Sequence, residues 1–86
     1  HVLVVEDDAT NRQLMRTLLN RLGLRVSLME AGEQAVDAVA RGETFDLVLM
    51  DVRMPGIDGI EATRRIRAGE AHEGGTHLPV VALTAD

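Results

Sequence analysis

The sequence predicts an α/β protein in which a parallel sheet is covered by helices on both faces. Three observations carry that expectation. Short apolar runs rich in Val and Leu recur along the chain, segments of helical period lie between them, and glycines mark where the helices stop. Right-handed crossovers place a helix after each strand, so this alternation builds a parallel sheet.

Leu3-Val4-Val5 is short, apolar and largely β-branched, and it ends at Glu6-Asp7-Asp8, which reads as a buried strand running into a loop. From about Thr10 the period changes: Leu14, Met15, Leu18, Leu19 and Leu22 fall on one helical face, and Gly23 supplies the stop. Leu24, Val26 and Leu28 alternate with Arg25 and Ser27, the pattern of a strand with one wetter face. Gly32-Glu33-Gln34-Ala35 opens a second helix with acid in its first turn, apolar positions at Ala35, Val36, Val39 and Ala40, and an end at Gly42. Phe45 to Met50 is a third strand. Asp58 caps a third helix from about Gly59 to Ala68. Glu70 to His77 lacks periodicity and holds Gly74-Gly75, so a mobile surface loop is expected there. Leu78 to Thr84 is a fourth strand, with Pro79 near its start, where a missing N–H is tolerated.

Composition narrows the function. The chain of 86 residues is one domain with a thin core, and 45% hydrophobic with 27% charged residues is ordinary for a soluble globular protein. A net charge of −5 argues against a nucleic-acid surface and for protein or cation partners. All nine basic residues are Arg, which removes lysine chemistry from these residues. With no Cys and no membrane-length apolar run, a cytoplasmic setting is expected.

In an open parallel sheet, ligands bind beyond the carboxyl ends of the strands where the strand order reverses. Glu6-Asp7, Asp51 and Thr84 sit at such ends. If the first and third strands are neighbours, three carboxylates converge, and their repulsion calls for a proton or a cation. Hard oxygen ligands beside an open position suit Mg2+ and a phosphate. Asp51 is then a candidate nucleophile toward phosphorus, Glu6 and Asp7 hold the metal directly or through water, and Thr84 offers a hydroxyl.

Val4-Val5-Glu6-Asp7-Asp8, Met50-Asp51-Val52-Arg53-Met54-Pro55-Gly56-Ile57-Asp58-Gly59 and Pro79-Val80-Val81-Ala82-Leu83-Thr84-Ala85 together resemble the receiver domain of two-component response regulators. The resemblance spans the chain and implies a flavodoxin-like fold. It implies that Asp51 accepts a phosphoryl group from a histidine kinase or a histidine phosphotransfer protein, by self-catalysed transfer. Glu6 and Asp7 would be the acidic Mg2+ pair, the Arg53 carbonyl would complete the metal sphere, and Thr84 would be the switch hydroxyl with Ala85 leaving it room. Asn11-Arg12 and the segment Glu61 to Arg67 are similar to receivers carried by hybrid sensor kinases. Complete receivers resemble five strands with a lysine after the fifth. Residues 1–86 therefore read as the N-terminal portion of such a domain, four strands and three helices without the last α-β-α elements and without that lysine. An uncovered fourth strand would invite a homodimer or element exchange through its edge. The alternative function is a pseudo-receiver, an interaction module that is never phosphorylated. A phosphatase of the haloacid dehalogenase type fits less well, because Arg53 stands where that family resembles a second Asp.

Each of these residues also has a plainer reading. Acids at strand ends commonly cap helices, and Asp51 alone could cap the turn before Pro55. Met15, Met29, Met50 and Met54 read as packing, and Arg64, Arg65 and Arg67 as a solvated helix face. His72 and His77 lack acids at ligand spacing.

Overall fold

The computed structural model describes residues 1–73 and 77–83. Its elements follow in the order β1 (Val2–Val5), α1 (Ala9–Arg21), β2 (Val26–Met29), α2 (Gly32–Ala40), β3 (Leu47–Asp51), α3 (Gly59–Glu73) and β4 (Val80–Leu83). The strands form one parallel sheet in the order β2-β1-β3-β4. The first and third strands are therefore neighbours, as the convergence of acids requires, with Val5 in register with both Met29 and Met50.

Alternation along the strands sorts side chains to the two faces. Leu3 and Val5 of β1 and Val48 and Met50 of β3 point to the α2 and α3 side, where they pack with Ala35, Ala38, Phe45, Ala62 and Ile66 into the core. Small residues let those two helices approach closely: a Cβ on Gly32 would lie 3.0 Å from the Ala62 Cβ. Sealing Leu3, Val48 and Met50 away from water contributes about 1.5–3 kcal/mol for each large side chain.

The opposite face is thinner. The strand order reverses at β1, so right-handed crossovers send α1 to the side away from α2 and α3. Its stripe of apolar residues forms as the period predicts, yet none of its residues is buried, and Leu14, Leu18 and Leu22 are 56%, 48% and 73% exposed. The period decides which residues share a face, and burial depends on what covers that face.

The glycine stops behave as read. Gly23 and Gly42 adopt φ of 82° and 91°, a region that costs a side-chain-bearing residue but not glycine. Other readings change. Strands β2, β3 and β4 begin two residues later than expected, at Val26, Leu47 and Val80. Helix α3 runs on through Gly69 to Glu73, past the expected end at Ala68, so the start of the expected loop is helical. Glu70 explains the extension: its carboxylate accepts from Arg67 Nη1 at 2.8 Å one turn back and from the Leu78 N–H at 2.7 Å across the connection. On β2 all four residues are half-buried, with no clean wet face, because the strand lies at the sheet edge beneath α1 and α2. Residues 74–76 of the expected loop lie outside the described residues. Among the described residues, no helix is long and apolar enough to cross a membrane.

Candidate functional site

Parallel pairing brings the carboxyl ends of β1 and β3 to one edge, and the loops after them build the crevice. Glu6 is the first residue past β1, fixed by its N–H donating to the Met29 carbonyl at 3.0 Å. Asp51 is the last residue of β3, in register with Leu83. One carboxylate oxygen each from Glu6, Asp7 and Asp51 lie within 4.8 Å of one another. The structure thus brings together all three acids that the sequence nominated. Two ligands across one Mg2+ stand about 4.2 Å apart, so small side-chain rotations would let these oxygens share one ion.

The three adjoining acids have different surroundings. Glu6 is buried, Asp7 faces solvent, and Asp8 is the N-cap of α1, its Oδ1 accepting from the Thr10 and Asn11 N–H groups at 2.8 and 3.1 Å. Of these three acids, helix capping, the plainer reading, holds for Asp8. Burial pushes the Glu6 carboxyl above the ordinary glutamate range, and the nearby Asp51 charge adds to that push. The Asp8 N–H, donating to Glu6 Oε1 at 3.2 Å, and Asn11 Nδ2 at 3.5 Å work the other way.

The loop after β3 is equally ordered. Asp51 Oδ1 accepts from the Arg53 N–H at 3.0 Å, which fixes the carboxylate at the strand tip. Asp58 caps α3 as expected, accepting from the Glu61 N–H at 2.8 Å. Gly59 N–H donates to the Val52 carbonyl at 3.1 Å, and a Cβ on Gly59 would collide with the Asp51 carbonyl oxygen. Only glycine lets α3 start this close to the strand that carries Asp51.

These residues line an open cleft of ≈ 590 Å³, with Glu6, Asp7, Asp51 and Arg53 on its floor and rim and Leu14 and Leu83 beside them. A second cleft of ≈ 490 Å³ lies at the other end of the sheet around Phe45, Ile66 and Leu78, away from the acid cluster. The Arg53 side chain is exposed, as expected when only its carbonyl is called for. Thr84 and Ala85 lie outside the described residues. Two cleft neighbours had no assigned role in the sequence reading: Asn11, which reaches Glu6, and Arg12, whose side chain meets the backbone of the same loop. Their signal was positional, since the first turns of a helix beginning at Ala9 must face the loop that leads into it.

The family model for the response regulator receiver domain matches residues 2–86. Sensor protein GacS of Pseudomonas syringae pv. syringae is 54% identical over 84 residues, covering 98% of this chain and 9% of that protein. Hybrid signal transduction histidine kinase I of Dictyostelium discoideum is 42% identical over 88 residues, covering 98% of this chain and 5% of that one. The receiver domain of the histidine kinase CKI1 from Arabidopsis thaliana, solved with Mg2+ and BeF3−, superposes with a TM-score of 0.90 at 32% identity, over 99% of this chain and 65% of that chain. The chain thus spans less than a tenth of these curated relatives and about two thirds of the solved domain. With its flavodoxin-like sheet order, its acid crevice at the reversal point and these likenesses, the chain belongs to the response regulator receiver domain family, of the kind found in hybrid histidine kinases.

Proposed function

We propose that this receiver is a phospho-acceptor in a two-component relay and that Asp51 carries the phosphoryl group. The observation that supports it best is the triad of carboxylate oxygens within 4.8 Å at the open end of β1 and β3. Glu6, Asp7, Asp51 and the Arg53 carbonyl would hold Mg2+, which when bound neutralises charge on the phosphoryl oxygens. An Asp51 carboxylate oxygen attacks phosphorus in line, the bond from phosphorus to the donor imidazole breaks, and the electron pair leaves with the imidazole nitrogen, which takes a proton. The donor is a phosphohistidine on a histidine kinase or a histidine phosphotransfer protein. The Arg53 N–H keeps Asp51 pointed out of the sheet, and Thr84 is assigned the hydroxyl that meets the phosphoryl oxygen. Positioning and charge neutralisation are most of what phosphoryl transfer asks of a protein.

Incubation with Mg2+ and a small-molecule phosphodonor, followed by intact-mass measurement, tests this. A gain of one phosphoryl group that disappears in Asp51→Asn and in EDTA supports the relay. No gain under conditions that load another receiver favours the interaction module.

A further inference from the structure

Arg12 stands on α1 just past its first turn, yet its side chain turns back over the helix start. Its Nη1 donates to the Glu6 carbonyl at 2.8 Å and to the Asp7 carbonyl at 2.9 Å. Its Nη2 lies 3.9 Å from Glu30 Oε2 on the loop after β2, and the side chain is 20% exposed. One nitrogen of a planar, permanently charged guanidinium therefore bridges two successive peptide units of the loop that carries two of the crevice acids, while the other faces Glu30.

The link to the crevice runs through a single peptide plane. In a trans peptide the C=O and the N–H point in opposite directions. By holding the Asp7 carbonyl on its own side, Arg12 aims the Asp8 N–H the other way, and that N–H donates to Glu6 Oε1 at 3.2 Å. The Glu6 carboxylate is thus oriented from behind by a residue that never touches it. We propose that Arg12 is a positioning residue for the ion site, locking the peptide units at Glu6 and Asp7 so that both carboxylates stay aimed at one cation. This rests on the reading of the crevice as a Mg2+ site.

Charge and geometry predict opposite signs for its removal. A cation beside the cluster repels a second cation, so if Arg12 acted only through its charge, Arg12→Ala would tighten Mg2+ binding. If it acts by orientation, binding weakens, and loss of an outer partner of a metal ligand typically costs about 10–100-fold in affinity. The test is a MgCl2 titration of the 15N-labelled protein followed on the Asp8 and Asp51 amide resonances, with Asp7→Asn as the blank. Arg12→Ala is expected to raise the dissociation constant at least about 10-fold. Arg12→Met, which keeps the apolar stem and loses every donor, should also weaken binding and shift the Asp8 amide before any Mg2+ is added. Unchanged or tighter binding in Arg12→Ala overturns the proposal; if that variant does not fold, unchanged or tighter binding in Arg12→Met does so. A wild type that responds to Mg2+ no more than Asp7→Asn does overturns the ion-site reading itself, a separate result.

Discussion

Replacing Asp51 by Asn should make the metal-free protein more stable. The carboxylates of Glu6 and Asp51 have oxygens within 4.8 Å, a distance at which two unit charges repel by about 3.5 kcal/mol at an effective dielectric of 20 and about 0.9 kcal/mol in bulk water. Glu6 is buried and Asp51 only half-buried, so the net cost falls toward the lower figure, and the exposed Asp7 is left out of the sum because solvent screens it. Asn retains an oxygen to accept from the Arg53 N–H, so little is lost in exchange. The expected gain is about 1 kcal/mol, or roughly 4–8 °C in melting temperature for a domain of this size. Thermal unfolding by circular dichroism in EDTA measures it. Mg2+ at ten times its dissociation constant should then add about 1.4 kcal/mol to the wild type and little to the variant. An Asp51→Asn protein no more stable than the wild type in EDTA, or one that Mg2+ stabilises equally, would refute the reasoning.

The other expectations follow from the same geometry. Gly59→Ala, which drives a Cβ into the Asp51 carbonyl and to 2.9 Å from Met50 Cγ, should cost about 1–3 kcal/mol or more, whereas Gly69→Ala, with nothing within 4 Å, should stabilise α3 by about 0.5–1 kcal/mol; chemical denaturation compares the two. Asp8→Ala removes the cap shared by the Thr10 and Asn11 N–H groups and should lower stability by about 1 kcal/mol, read from the same curves. Burial and Asp51 raise the Glu6 carboxyl, so between the ordinary glutamate range and the raised value the folded chain binds more protons than the unfolded one. The stability of the wild type minus that of Glu6→Gln in EDTA should therefore fall as pH rises through that window, and a value that rises or stays flat there contradicts the assignment.

Most of the sheet and the acids of the crevice were legible because both depend on local pattern. Strand alternation and the carboxylates at the ends of β1 and β3 are written residue by residue, and parallel topology does the rest. What was not legible depends on partners distant in sequence. Leu14, Leu18 and Leu22 announce a helix face without announcing what lies against it. Ala38, fully buried, carries no period strong enough to nominate it. The aperiodic stretch from Glu70 suggested a helix end near Ala68, but Glu70 holds the turn together through Leu78, eight residues on. The role of Arg12 is hidden for a similar reason, since its partners are backbone carbonyls, which no side-chain pattern encodes.

Glu6, Asp7 and Asp8 are chemically near-equivalent neighbours, yet one is sealed beside Asp51, one faces solvent and one starts a helix. What separates them is distance in residues from the last rung of β1. Removing one residue between Val5 and Ala9 would leave an acidic loop with every donor and acceptor type still present, but out of phase, so that the helix start and the ion ligands would compete for the same carboxylate. In a loop of this kind, length constrains the site as well as the identity of its acids.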